Sequence, residues 1–260
     1  MIRGLYAAAS TMLAAFTRQE QNAANIANIN TPGYKREITP VRSGPVVGEV
    51  RSFDGLLSVA YPTRPFPLAV GNVGTGVLND PVTIDFSDGD IRPTGRELDL
   101  ALVGPGFFEL RSATGQTYYA RAGQFSRDAG GRIVDSKGGF AIGDDGPITL
   151  GTGVVSIGGD GTVHSDGQEV GRLRIWEFPP NTAMRSLGGG SYAPVDPKAT
   201  RDLVSDGTAI QQGAIEYSNV DPARAMAEML AATRTYEAAQ RIMQMSDAIL
   251  ERSVNDIGRV

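Results

Sequence analysis

Residues 2–33 read IRGLYAAASTMLAAFTRQEQNAANIANINTPG, a long helical pattern closed by the stop signal Thr31-Pro32-Gly33. Leu5, Met12, Gln19 and Ile26 recur at intervals of seven, and Ile2, Ala9, Phe16 and Ala23 form a companion series three residues earlier in each repeat. That spacing puts both series on one face of a helix over residues 2–29, the a/d seam of a coiled coil. Pro32 forbids helical continuation, and Gly33 accepts a left-handed turn at little cost. The other faces hold Gln19, Gln21, Asn22, Asn25, Asn28 and many alanines, with only Arg3, Arg18 and Glu20 as charges. A freely solvated helix carries more charge, so packing on several sides is expected.

The far end repeats the design. Asp221-Pro222 offers an N-cap followed by proline at the first helical position, and a helix over 222–257 follows. Met229, Tyr236, Met243, Leu250 and Ile257 recur every seven residues, beside a stripe of Ala225, Ala232, Ala239 and Ser246. Isolated helices are marginal in water, and ten large side chains are worth on the order of 20 kcal/mol when buried, so both stripes need partners. The period alone leaves three candidates: the opposite terminus, the middle of the chain, or another molecule.

Of the 33 glycines, 31 lie between Asn30 and Gly213, which marks the middle as a different kind of structure. Turn dipeptides Asp88-Gly89, Gly130-Gly131, Asp145-Gly146, Asp160-Gly161, Asp166-Gly167 and Asp206-Gly207 punctuate short apolar runs. Strands are expected within Val82–Phe86, Leu98–Val103, Gly106–Arg111, Gln116–Arg121, Arg132–Asp135, Val154–Ile157 and Val170–Phe178. No long helical pattern separates them, so the fold class is α+β: terminal helices pairing as a coiled coil around a central all-β, antiparallel domain, an irregular barrel or sandwich. The expected divisions are 1–33 (first helix), 34–75 (an extended connector with five prolines), 76–213 (β domain) and 214–260 (second helix).

The catalytic inventory is thin. The chain has 260 residues, no cysteine and one histidine, which excludes disulfides, thiolate chemistry and zinc clusters. His164, in Gly161-Thr162-Val163-His164-Ser165-Asp166, reads as a hairpin residue rather than the base of a triad. Asp85, Asp88 and Asp90 do not meet the spacing of a calcium loop, and Asp144-Asp145 reads as a solvated turn. No phosphate-binding glycine motif is present. With 29 acidic against 24 basic residues, 21 of them arginine, nothing suggests nucleic-acid binding. No enzyme activity, metal or cofactor is expected. Leu5–Phe16 could pass for a signal core, but Ser10 and Thr11 interrupt it and no convincing cleavage site follows, so no cleaved signal is expected. No apolar run is long enough to cross a bilayer.

Three sets of residues carry a family resemblance. Arg3-Gly4-Leu5-Tyr6 and Ala8-Ala9-Ser10, followed by Asn25-Ile26-Ala27-Asn28-Ile29-Asn30-Thr31-Pro32-Gly33-Tyr34-Lys35, resemble the amino-terminal signature of bacterial flagellar rod and hook proteins. Gly213-Ala214-Ile215-Glu216-Tyr217-Ser218-Asn219-Val220, with Arg234-Thr235-Tyr236-Glu237, resembles the carboxy-terminal motif of that family. Asp99-Leu100-Ala101-Leu102, Gly106-Phe107-Phe108 and Tyr119-Ala120-Arg121-Ala122-Gly123-Gln124-Phe125 resemble its central domain, and Gly146-Pro147-Ile148-Thr149 with Val170-Gly171-Arg172-Leu173 favours the proximal over the distal rod protein. The resemblance implies a mechanical role. Leu5, Met12, Phe16, Ile26, Met229, Tyr236, Met243, Leu250 and Ile257 would form an assembly interface. Asn25, Asn28, Asn30, Thr31, Pro32, Gly33, Tyr34, Ser218, Asn219 and Val220 would carry the family motif. The partners implied are copies of this chain, other rod and hook axial proteins and the flagellar type III export apparatus, and the place implied is the extracytoplasmic basal body. A monomeric β-domain binding module is the remaining alternative.

Overall fold

The computed structural model describes residues 2–44, 76–180, 182–203 and 207–257, with the side chains of residues 2, 3, 256 and 257 left aside. Most of the expected connector, the Asp206 turn position and the side chains of Ile2 and Ile257 lie outside the described residues. Helix α1 spans Ile2–Ala27 and helix α2 spans Pro222–Ile257, within two residues of the expected 2–29 and 222–257. The chain divides into two compact units. One contains residues 1–24, 38–82 and 223–260, the other residues 25–37 and 83–222.

In the helical unit the heptad is legible in the burial, but small residues hold its most buried positions. Ala8, Ala15 and Asn22 are buried along α1, and Ala225, Ala232 and Ala239 along α2, each set spaced by seven. Leu5, Met12, Met229, Tyr236, Met243 and Leu250 beside them are half-buried. Gly4, Ala7, Ala8 and Thr11 of α1 and Thr235, Ala238, Ala239 and Ile242 of α2 line one shallow cavity of about 270 Å³, so the two helices run side by side there. Strands Val41–Ser43 and Val77–Asn79 pair antiparallel in the same unit, and Ser10 Oγ accepts a hydrogen bond from Val77 N at 3.1 Å.

The second unit is antiparallel β throughout its pairings. A ten-stranded sheet runs Met184–Gly188, Ser191–Pro194, Thr117–Ala120, Phe107–Arg111, Phe140–Gly143, Ile133–Val134, Ser126–Arg127, with three further strands attached along this path. Leu100, Leu102, Phe108, Leu110, Ile133, Ile142 and Val163 are essentially inaccessible to solvent. A smaller aromatic group of Phe107, Tyr119 and Tyr192 packs with Phe86 and Phe178 in edge-to-face pairs 4.8–6.0 Å apart, the arrangement that ring quadrupoles prefer.

One expectation is corrected. Val170–Phe178 is not a single strand. Gln168–Arg172 closes a three-stranded sheet with Val155–Ile157 and Thr162–Ser165, whereas Ile175–Glu177 joins the ten-stranded sheet against Phe107 and Phe108. The break falls at Leu173 and Arg174. Leu173 drops into the core and its N–H reaches Gly161 O, while Arg174 N turns to Ile142 O, so the chain changes sheets there.

Candidate functional site

The fold gathers the two family motifs at one place within the β-rich unit. After α1 ends, Asn28 N and Ile29 N bond back to Asn25 O and Ile26 O, and Thr31 Oγ1 donates to Asn28 Oδ1 at 3.0 Å. The chain then reverses at Gly33, whose φ of 67° is the left-handed value that glycine adopts freely. A Cβ there would lie 2.2 Å from Ala122 N, so the close approach of two backbones also demands glycine.

Asn25, 1% exposed, fixes the turn from the helix side. Its Oδ1 accepts from Tyr34 Oη and from Glu37 N, both at 3.0 Å, and its Nδ2 donates to Glu37 O at 2.9 Å. Burial and the Glu37 charge push the Tyr34 phenol up to about 12, so this donor keeps its proton across the physiological range. Gly33 N donates to Glu216 O at 2.8 Å, and Arg36 N donates to Asn219 Oδ1 at 2.8 Å, joining the first motif to the second. Asn219 Nδ2 reaches Asp85 O and Ser87 Oγ, each at 2.9 Å. Ser218 Oγ accepts from Val220 N, and Val220 is buried. Asn30 is exposed and Pro32 half-buried at the bend.

Beneath this joint lies a charged cluster that the sequence pattern does not single out. Lys35 and Glu216 are each 1% exposed and Arg121 3%, while Asp88 at the edge is 68% exposed. Lys35 Nζ donates to Glu216 Oε1 at 2.6 Å and to Ser87 O at 2.6 Å. Arg121 donates through Nε to Glu216 Oε2 at 2.5 Å, through Nη1 to Gly106 O at 2.7 Å and through Nη2 to Asp88 Oδ1 at 2.9 Å. Gly89 N adds a third donor to the Glu216 carboxylate at 2.7 Å. Tyr192 closes the cluster, donating to Gly33 O at 3.0 Å and accepting from Lys35 N at 2.7 Å.

One carboxylate therefore serves two cations. Burial alone would push Glu216 up, but Arg121 and Lys35 hold it below the ordinary carboxylate range. Lys35 is shifted the other way relative to its charged form. Burial pushes its ammonium below the usual lysine value, and Arg121 adds to this while Glu216 and Asp88 pull it back. All three charges stand in segments that carry the family resemblance, Lys35 ending the first, Glu216 within the second and Arg121 within Tyr119–Phe125, but nothing in the sequence pairs them.

This arrangement holds chain segments together and leaves little chemistry free. The Glu216 carboxylate and the donors of Lys35 and Arg121 are turned on one another, and the adjoining cavity of about 410 Å³ is walled chiefly by Phe86, Phe107, Phe178 and Met184. Elsewhere, His164 sits in strand Thr162–Ser165 opposite Ser156, and Asp144 and Asp145 are exposed at a turn. Asp88 and Asp90 pair with Arg121 and Arg92. Among the described residues no three His, Asp or Glu side chains gather as a metal would require, and no helix is long and apolar enough to cross a membrane.

The two motif segments, residues 25–37 and 213–220, are thus bonded to one another and to the strand region around them. Comparison with known proteins agrees segment by segment. Family models match at residues 5–35 (flagella basal body rod protein), 101–165 (flagellar hook protein FlgE/F/G D1 domain) and 211–257 (flagellar basal body rod FlgEFG protein C-terminal). The chain is 30% identical to the flagellar basal-body rod protein FlgG of Agrobacterium fabrum, over 95% of its own length and 96% of that protein. It is 27% identical to the flagellar basal-body rod protein FlgF of Rhizobium meliloti, over 99% of both chains, and 27% identical to FlgF of Escherichia coli, over 95% of both. The chain belongs to the flagellar basal-body rod protein family, and its role is that of a structural rod subunit.

Proposed function

We propose that this subunit assembles helically through α1 and α2 into the hollow drive shaft that transmits torque to the hook. The helices pair as a coiled coil and pack against those of neighbouring copies and other axial proteins. The β-rich unit, an irregular barrel or sandwich, forms the outer layer. The subunit is exported through the flagellar type III apparatus without a cleaved signal and works outside the cytoplasm. Gly146-Pro147-Ile148-Thr149 and Val170-Gly171-Arg172-Leu173 favour the proximal rod position over the distal one.

One observation carries this reading. Beside the buried alanines, large apolar side chains stay in water: Tyr6, Leu13 and Phe16 on α1, and Met226, Leu230, Ile242, Met245 and Ile249 on α2, are 46–69% exposed. Singly exposed apolar residues are ordinary, but repeated along both helices they mark a surface that neighbours cover. The half-buried Met243 and Leu250 continue it.

Met243→Asp and Leu250→Asp test the proposal. Each should abolish incorporation into rods and swarming, because assembly would bury an unpaired carboxylate. The purified chain should keep the thermal transition of its β-rich unit. Normal rods in both variants would refute helical assembly through these faces.

A further inference from the structure

The bonds at the joint are unequally shared among three segments: residues 25–37, residues 213–222 and the β strands between them. The later segment has its own attachments to the strands. Ala214–Glu216 pairs with Ile91–Pro93, Tyr217 N donates to Asp90 O at 2.9 Å, Asn219 holds Asp85 and Ser87, and Glu216 takes Arg121 and Gly89 N. None of these involves residues 25–37. The earlier segment also bonds the strand region directly, through Lys35 Nζ on Ser87 O, Lys35 N and Gly33 O on Tyr192 Oη, and Asp85 N on Arg36 O, but the carboxylate against its buried ammonium, Glu216 Oε1, comes from the later segment, as do the acceptors of Gly33 N (Glu216 O) and Arg36 N (Asn219 Oδ1). Among the described residues Glu216 is the one carboxylate in contact with Lys35, and Asp88 acts on it only from a distance.

Without Glu216, the docked Lys35 would be a buried ammonium beside the buried Arg121 guanidinium. Leaving a buried charge unpaired is among the costliest single defects a protein interior can carry. We infer that Glu216 is a positioning residue that makes docking of the amino-terminal motif conditional on prior docking of the carboxy-terminal segment. The root of α1 is thereby set only in a chain complete through residue 219, so a chain that ends before Glu216 does not present a correctly anchored first helix. The inference deepens the proposed assembly role, but its test uses the unassembled chain.

Glu216→Gln is the informative change, because the carboxylate faces donors on every side: Lys35 and Gly89 at Oε1 and Arg121 at Oε2. An amide has one acceptor oxygen, so either orientation points an NH₂ group at a donor. Amide exchange on the full-length monomer should show protection at Gly33, Lys35 and Arg36 falling about a hundredfold, with Ile133 and Leu150 in the sheet unchanged. Lys35→Met should leave Tyr217 protected, and in the Glu216→Gln background it should restore at least about tenfold of the lost protection by removing the surplus cation.

An additive double variant would overturn the inference, as would a Lys35→Met chain in which Tyr217 loosens as much as Gly33, since docking would then be mutual. Should Glu216→Gln fail to fold, recovery of the fold in the double variant reads the same coupling, and an unfolded double variant overturns it. Failure here leaves rod assembly untouched, whereas failure of the assembly proposal appears as normal rods in Met243→Asp.

Discussion

Gly33→Ala isolates what the joint contributes, because Gly95 provides a matched control. Both glycines are left-handed, with φ of 67° and 73°, so an alanine at either position bears the same backbone penalty of about 1–2 kcal/mol. At Gly95 a Cβ would stand in open space, with no neighbour among the described residues within 4 Å, whereas at Gly33 that carbon would meet Ala122 N at 2.2 Å and both Ala122 Cα and Arg121 C at 2.6 Å. These are backbone atoms just past strand Thr117–Ala120 and cannot rotate away. The 31–35 turn must lift instead, stretching the Gly33 N bond to Glu216 O and the Tyr192 Oη bond to Gly33 O. Two buried hydrogen bonds at about 1 kcal/mol each, plus steric displacement, put the excess cost of Gly33→Ala at about 2–3 kcal/mol. In a chain of this size that difference should lower the thermal midpoint roughly 5–10 °C below that of Gly95→Ala. Calorimetry of the two variants side by side is the assay. Equal midpoints would show that the turn yields freely and that the close approach at Ala122 constrains nothing.

Three further outcomes are expected. Asn25→Ala should cost about 3 kcal/mol in urea unfolding, since it strands Glu37 N, Glu37 O and the Tyr34 hydroxyl together, while Tyr34→Phe, which removes one of those bonds, should cost about 1 kcal/mol. Because Glu216 is held below the ordinary carboxylate range when folded, its contribution to stability is fully present above the unfolded value of about 4.3 and is lost as pH falls through the folded value. The urea midpoint of Glu216→Gln should therefore fall less steeply with acid than that of the parent chain, and parallel curves would deny the carboxylate this role. Ala239→Leu adds bulk to a position that is 3% exposed and lines the cavity shared by the helices, so it should destabilise the helical unit by about 1–3 kcal/mol, read by circular dichroism at the helix band, with the sheet's amide protection unaltered.

The helices are legible in the sequence because their information is local. Heptad spacing, proline at 32 and 222, and the exile of glycine to the middle are read along the chain without knowing what each segment touches. The strands are legible where a turn dipeptide bounds an apolar run, as at Ile133–Val134 after Gly130-Gly131. Val170–Phe178 misleads because Val170, Leu173, Ile175, Trp176 and Phe178 make one apolar-rich run with no turn dipeptide inside it. The change of sheet at Leu173 comes from where Gly161 and Ile142 wait for its backbone, and no periodicity records that. The charged cluster is hidden for the same reason. Lys35 finds Glu216 181 residues away and Arg121 finds it 95 residues away, so each charge looks like a solvated residue in its own neighbourhood.

The burial along the helices separates two tasks that one heptad pattern merges. Ala225, Ala232 and Ala239 are the most buried positions of α2, and the large residues four on from them, Met229, Tyr236 and Met243, are only half-buried. Small side chains allow a close approach within the chain but bury little area, and burial at about 25 cal/mol per Å² favours the larger residues heavily. A helix meant to be stable in the monomer would turn its methionines and leucines inward and leave alanine at the margin. Here the order is reversed. Six large apolar side chains of α2 remain 46–69% exposed, and under the assembly proposed above they are buried only when other helices arrive. On that proposal the helices depend on neighbours, whereas the joint at Gly33, Lys35 and Glu216 is bonded by groups of this chain. Amide exchange in dilute solution should find that division directly, with protection high at Gly33 and Arg36 and low along residues 230–250; uniformly high protection would mean that the alanine seam alone suffices and that the exposed stripes have no part in holding the helices.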